Sequence, residues 1–440
     1  MTINRRRFLS TTGFSVAAGA FSATRLSSSL TFASEPQTDL PDWSEVRAQF
    51  DVARDYVHLS SFFIASHPRP VREAIEQHRR AIDDNPFLYV ERHLFEMPGQ
   101  VRAVAAEYLG GKTEEVALTN STTMGLAFVY HGLPLKAGQE ILTTTHEHYV
   151  HHEAIRFAAE RAGASVKKIS LFDDFNSISE EDIVRRIRRA VGPKTRAVGI
   201  TWVHSSSGLK VPVRRIAEAI KEVNAGRAEA ERILLIVDGV HGLGVEDESI
   251  AQMGCDFFIA GTHKWVFGPR GTGIIWAKAD RWRQMRPTMP AFDFGPFAAW
   301  MRGETPPHAM EASWVSPGGF HSFEYAWALP AAFAFHQRIG RARVAGRIHG
   351  LNDQCKEGLA RMRHVKLYTP RGDKLSAGLV CFDVEGMKPE EVVARLLARR
   401  IIASTAPYAI SCVRLAPSLL NSPEEIETTL SEIRALAAAN

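Results

Sequence analysis

The sequence predicts an α/β protein: a large domain whose mainly parallel sheet is covered by helices, followed by a smaller α+β domain. Three observations carry this. First, short apolar, β-branched runs recur at Val116–Thr119, Glu140–Thr144, Ser165–Ile169, 197–202, 233–238, 257–260 and Gly273–Ala277, and they read as strands. Second, amphipathic stretches such as Glu180–Ala190 and 213–223 separate most of them. That alternation calls for crossover connections and a sheet covered on both faces, with ligands at the carboxyl ends of its strands. Third, the pattern breaks off. From about 286 to 319 the chain is rich in Pro, Met, Gly and Trp, an irregular excursion. Helical patterns at 321–341 and 349–363, strand patterns at 379–384 and 413–416, and a closing helix then follow. That last helix opens on Ser422-Pro423-Glu424-Glu425, a capping box with Pro at the first helical position. The expected organisation is a signal peptide at 1–33, a linker at 34–44, a large domain at 45–319 and a small domain at 320–440.

The 440 residues carry a formal net charge of +4, and 45% hydrophobic with 23% charged residues suits a soluble globular enzyme. Arg5, Arg6, Arg7 and Arg25 are the charged residues of the first 33 and account for the whole surplus. A neutral remainder gives no electrostatic case for nucleic acid or an anionic membrane as partner. The segment NRRRFLSTTGFSVAAGAFSA pairs arginines with Phe8-Leu9 and a weakly apolar run too short to span a bilayer. It has the form of a twin-arginine export signal, not a membrane anchor, which makes the twin-arginine translocation machinery a partner during export and the periplasm the expected location. Cys255, Cys355, Cys381 and Cys412 form no CxxC pair and suggest neither a zinc site nor a disulfide framework. Gly110-Gly111-Lys112-Thr113 imitates the end of a phosphate-binding loop, but Ala106 stands where the leading glycine belongs.

The chemistry gathers at strand ends. The run Phe257-Phe258-Ile259-Ala260 ends in Gly261-Thr262-His263-Lys264, followed by an aromatic, Gly- and Pro-rich loop. A lysine in an apolar site loses its proton more readily than a solvated one, and the neutral amine attacks carbonyls. A snorkelling lysine is the bland alternative. A second strand pattern ends in Asp238-Gly239-Val240-His241, placing a carboxylate at another strand terminus. A Schiff-base lysine with an acidic partner for a ring nitrogen is what pyridoxal 5'-phosphate chemistry requires.

The stretch VDGVHGLGVEDESIAQMGCDFFIAGTHKWVFGPRGTGIIWA resembles the core of the class V aminotransferase family, the fold-type-I group of cysteine desulfurases, kynureninases and isopenicillin N epimerases. The resemblance extends over essentially the whole chain beyond the signal and is nearest the isopenicillin N epimerase-like branch. It implies that Lys264 carries the cofactor, that Asp238 contacts the pyridine nitrogen and that His241 lies near the ring hydroxyl. Thr122 and Thr123, at a hydroxyl-rich helix start, take the phosphate, with Thr262 and His263 as further candidates. A histidine of Thr145-His146-Glu147-His148-Tyr149-Val150-His151-His152 stacks on the ring; spacing favours His148, with His146 open. His148 and His152 share a helix face, yet the run lacks the His-Glu-x-x-His spacing of a zinc site. Ser205 falls where desulfurases have asparagine. Arg414 matches the arginine that clamps a substrate carboxylate, and Arg92 a second arginine near the site.

Two departures qualify the resemblance. Ser316-Pro317-Gly318-Gly319-Phe320-His321 replaces the Gly-Thr that usually reaches the partner subunit's phosphate, and residues 403–411 lack the reactive cysteine of desulfurases. The expected function is an exported enzyme acting at the amino-bearing carbon of an amino-acid-like substrate, as an aminotransferase or epimerase, with desulfuration disfavoured. Tailoring of a peptide or siderophore side chain is the alternative enzyme reading, suggested by an exported family member that modifies a pyoverdine siderophore. A non-catalytic binding protein retaining the fold is the alternative of another class, and a pure binder needs neither Lys264 nor Asp238. A homodimer is expected, since the family builds its site at a subunit interface.

Overall fold

The structure, a computed structural model, describes residues 41–305, 310–316 and 318–436. The expected signal segment, the first part of the linker and Pro317 of the departing loop lie outside the described residues. The main sheet contains β1 (Val116–Thr119), β2 (Glu140–Thr144), β3 (Ser165–Ile169), β4 (Thr195–Thr201), β5 (Leu234–Asp238), β6 (Phe257–Gly261) and β7 (Gly273–Ala277). Their order across the sheet is β1-β7-β6-β5-β4-β2-β3. Pairs are parallel except the two that β7 makes with β1 and β6. Strands β4 to β7 are buried throughout, the cause of their unbroken apolar runs. The edge strand β3 instead exposes Ser165, Lys167 and Lys168, and charges there discourage pairing with another chain.

Helices fill the crossovers. Glu180–Ala190 starts at Ser179, whose hydroxyl accepts the Asp182 N–H at 3.2 Å. Three acidic residues follow in its first turn and Arg188 and Arg189 close it, each sign at the end of the helix dipole that favours it. The C-terminal part holds an antiparallel sheet of Val365–Leu367, Val380–Val384, Val413–Leu415 and Ser404–Thr405, with helices Arg341–Ala360, Pro389–Ala398 and Pro423–Ala435. The capping box forms as read: Ser422 Oγ accepts the Glu425 N–H at 3.3 Å, and Glu425 accepts the Ser422 N–H at 3.2 Å.

Three features differ from the sequence reading. The two helices expected at 321–341 and 349–363 are Phe323–Ile339 and Arg341–Ala360, broken only by Gly340 at φ 91°. Gly346 and Gly350 dilute the pattern of the second helix, and a side chain at either would meet open space. They are tolerated at about 1 kcal/mol each. Phe323–Ile339 falls within the small domain expected at 320–440, yet Leu329, Phe333, Phe335 and Ile339 belong to the large core. The small-domain core comprises residues such as Leu351, Phe382, Val413 and Ile433. Finally, Val57–His58 pairs in parallel with Ile401–Ile402, so a segment near the described N-terminus completes the C-terminal domain.

Candidate active site

The carboxyl ends of β1, β2, β4, β5 and β6 deliver Asn120 to Thr123, Thr145 to His148, Trp202 to Ser205, Asp238 to His241 and Thr262 to Lys264. Strand register fixes this. Thr201 lies opposite Asp238, and Asp238 opposite Ile259, so the residues following β4, β5 and β6 emerge side by side.

Lys264 begins a turn closed by the Phe267 N–H donating to the Lys264 carbonyl at 3.1 Å. Phe267 takes a left-handed φ of 57°, held by burial and by ring contacts with Phe50 at 4.9 Å and His336 at 5.9 Å. Lys264 Nζ is 3.1 Å from His241 Nε2. Burial, followed by the charge of Arg414, brings the amine down to about 8 against the opposing pull of Asp238. Burial pushes His241 well below the usual imidazole range, with the Lys264 charge acting the same way. Asp238 is buried, and burial raises its carboxyl against the lowering charges of His151 and Lys264. Its Oδ1 accepts the Val240 N–H at 3.1 Å, while Oδ2 has no hydrogen bond among the described residues.

The helix Thr122–Gly132 is capped by Ser121, whose hydroxyl accepts the Met124 N–H at 3.2 Å. The N–H groups of its first residues have no intrahelical partner and point where an anion is favoured. Thr122 is buried and its hydroxyl accepts the Gly261 N–H at 2.8 Å; Thr123 is exposed. His263 Nδ1 is buried without a partner, and burial with the nearby Lys264 charge brings this imidazole to about 4. Thr262, the other further candidate for the phosphate, bonds to a residue of the following loop. Its hydroxyl is 2.6 Å from that of Thr272, which donates onward to the Pro269 carbonyl, so the Thr262 proton is committed to Thr272.

His148 caps helix Tyr149–Ala162, its Nδ1 accepting the Val150 N–H at 3.3 Å, and its ring meets Tyr408 edge-on at 6.0 Å. Burial lowers its basicity, and the nearby charges of Lys264 and Arg414 act in the same direction. His146 turns elsewhere, stacked on Phe172 at 4.4 Å with its Nε2 accepting the Leu171 N–H at 3.2 Å. His152 is tied to the Thr144 carbonyl at 2.8 Å, and among the described residues no group of three or more His, Cys, Asp or Glu is arranged to hold a metal ion. Glu147, between them in sequence, accepts hydrogen bonds from Thr144 at 2.6 Å and from Thr201, and lies 3.2 Å from His151 Nδ1. His151 in turn meets the Tyr130 hydroxyl at 2.7 Å.

Arg414, carried on Val413–Leu415, donates through one terminal nitrogen to the Ser205 carbonyl at 3.1 Å and lies 4.7 Å over the Phe62 ring. Its Nε is buried and unpartnered, so donors remain for a carboxylate. Arg92 is not brought to this cluster: it is exposed on helix Pro86–His93, with no hydrogen bond or ion pair among the described residues.

Tyr408 and Phe62 escape a reading by motif. Tyr408 hydrogen-bonds Ser205 Oγ at 2.7 Å, and Phe62 lies 5.7 Å from His241 as well as beneath Arg414. Both reach the site from distant segments, and no local pattern marks either. The groups present fit pyridoxal phosphate: a free carboxylate oxygen on Asp238, an orphaned His263 nitrogen beside a helix N-terminus, and a lysine shifted towards its amine form.

Residues 89–426 match the family described as Aminotransferase class-V. The chain is 26% identical over 405 residues to isopenicillin N epimerase of Streptomyces clavuligerus, covering 90% of this chain and 98% of that protein. It is 24% identical over 412 residues to a probable cysteine desulfurase of Pyrococcus abyssi, covering 89% and 97% respectively. Among solved structures, a C-DES mutant with glycine covalently linked to its PLP cofactor aligns with a TM-score of 0.79 at 23% identity, covering 90% of this chain and 99% of that one. Cysteine desulfurase from Thermococcus onnurineus NA1 aligns with a TM-score of 0.76 at 21% identity, covering 91% and 99%. These likenesses establish fold type I, and with a family match spanning most of its length the chain belongs to the class V aminotransferases, which makes it a pyridoxal-phosphate-dependent enzyme.

Proposed function

We propose that this enzyme acts at the amino-bearing carbon of an amino-acid-like substrate, as an aminotransferase or epimerase. The observation that carries the reading is the enclosed Lys264 amine beside Asp238, facing an Arg414 with unspent donors. When bound, the cofactor supplies a carbonyl for the substrate amine and a protonated ring as electron sink. Asp238 Oδ2 would hold the ring proton, and the helix N-terminus at Thr122 with His263 would hold the phosphate. Arg414 would grip the substrate carboxylate and so orient the carbon whose proton Lys264 Nζ removes. Return of a proton to that carbon from its other face is epimerisation; in amino transfer the proton is not returned to that carbon, water supplies the carbonyl oxygen of the released keto acid, and the amino group passes to an acceptor keto acid. A panel of L- and D-amino acids and terminal amino groups of short peptides, with products separated by chiral chromatography and mass spectrometry, distinguishes these. Elimination products alone would reject the reading.

Desulfuration stands second, supported by the relatives named as probable cysteine desulfurases. Residues 403–411 supply no cysteine, and the buried Cys412 thiol is directed to the Ser206 carbonyl at 3.5 Å. Sulfide release from cysteine faster than any other turnover would promote it. Side-chain tailoring of a peptide or siderophore rests on the export signal alone, and the same panel tests it.

Export is part of the proposal. Arg5 and Arg6 with Phe8-Leu9 would direct a folded, cofactor-loaded enzyme to the periplasm. Replacing both arginines by lysine should strand active enzyme in the cytoplasm, and unimpaired export of that variant would reject the assignment.

A further inference from the structure

We infer that Trp265 is a positioning residue, whose indole N–H fixes the tautomer of His241 so that His241 donates through Nε2 to a neutral Lys264 amine. The inference rests on Lys264 being the attachment residue.

The atoms able to donate fix the tautomer. The Trp265 indole nitrogen is 3.2 Å from His241 Nδ1, and indole N–H is a donor only, so Nδ1 must accept. A neutral imidazole then carries its single proton on Nε2. Nε2 is the atom 3.1 Å from Lys264 Nζ. An ammonium has no lone pair with which to accept that hydrogen; an amine does. The surroundings shift the balance in the same direction. His241 is buried and pushed well below its usual range, so it has no second proton to give up. The charged and titratable groups acting on Lys264 and His241 are Asp238, Arg414, His148 and His263, and Asp238 alone favours the ammonium of Lys264.

The indole itself has no freedom to leave. Trp265 is buried, and two glycines make its room. A Cβ on Gly378 would fall 2.9 Å from the indole Cζ2, and one on Gly244 would fall 2.8 Å from the Trp265 carbonyl carbon. Gly378 has a φ of 69° and leads into the strand Val380–Val384 of the C-terminal sheet. The ring thus packs against the segment that leads into the C-terminal sheet, so its contact with His241 depends on how that segment packs.

The test uses protein labelled with nitrogen-15 at histidine, both cofactor-loaded and cofactor-free, with His241 assigned by difference from His241→Gln. His241 should show the Nε2–H form with an unprotonated Nδ1 in both. In folded Trp265→Phe the tautomers should mix. The pH midpoint for reaction of cofactor-free Lys264 with an amine-directed reagent should then rise by about one unit, because Nε2 becomes free to accept from the ammonium. An Nδ1–H form in the unaltered protein overturns the inference, and so does a folded Trp265→Phe with unchanged tautomer and midpoint. If that variant fails to fold, the unaltered protein's spectrum decides. Failure of the attachment reading would appear separately, as cofactor bound to another lysine with the His241 tautomer intact.

Discussion

Asp238 ends β5 and Lys264 stands three residues past the end of the adjacent parallel strand β6, and each favours the charged form of the other. Burial acts against both charges: it raises the Asp238 carboxyl and lowers the Lys264 amine. The site therefore holds a carboxylate and a nucleophile in surroundings that penalise ionisation, with Arg414 adding a positive charge that works against a protonated Lys264.

Replacing Asp238 by Ala should leave the fold and some cofactor binding while lowering kcat by about 100-fold or more, since the ring loses the group that holds its proton. Steady-state kinetics beside the absorbance of bound cofactor measure this. Full turnover would show that Asp238 has no such role.

Arg414→Lys should raise KM for the amino-acid substrate by about tenfold or more with a smaller effect on kcat, because a point charge cannot grip a carboxylate through two parallel hydrogen bonds. The control is the decarboxylated amine, for which the two proteins should hardly differ. Equal losses on both compounds would mean that Arg414 supports the domain and not the substrate.

Glu147 is a buried carboxylate. Burial opposes its charge, but His151 and His204 prevail and hold it well below its ordinary value of 4.5. A depressed acid stabilises the fold above its unfolded value and ceases to do so as pH falls through its folded value. The stabilisation is therefore complete above about 4.5 and should vanish only in stronger acid. Glu147→Ala, which strands His151, should cost about 3 kcal/mol in denaturant unfolding at neutral pH. A loss under about 1 kcal/mol would show that the network is dispensable.

A second copy of this chain is the proposed cover for the aromatic side chains that the described residues leave open. Phe294, Trp300 and Phe320 are 64%, 68% and 77% exposed. Phe294 meets Phe95 at 5.7 Å, and Phe320 meets Phe292 at 6.2 Å, so the surface is continuous enough to bury. Light scattering should give a dimer that Trp300→Glu weakens. A monomer with undiminished cofactor affinity would contradict this.

The sheet was legible because most of its strands are buried and its crossovers amphipathic, and β1, β2 and β7 fall on the residues read from the sequence, as does the exposed edge strand β3. The gathering of Lys264, Asp238 and His241 at neighbouring strand ends was legible because strand ends are local and the family order of motifs is linear in the chain. Two things could not be read that way. Thr262 looks like any strand-end hydroxyl until Thr272, brought by the following loop, takes its proton. Phe62, Tyr408 and the Trp265 contact to His241 depend on segments far apart in sequence or on the direction of one ring. Arg92, carried over from the resemblance, lies exposed on helix Pro86–His93 of the single chain, away from the cluster.

The central claim is that Lys264 holds the cofactor, and borohydride reduction of the purified protein followed by peptide mapping tests it most directly. The pyridoxyl group is expected on the peptide containing Lys264, and Lys264→Ala should abolish the covalent link. Label on any other lysine, or an undiminished covalent link in Lys264→Ala, would contradict the account.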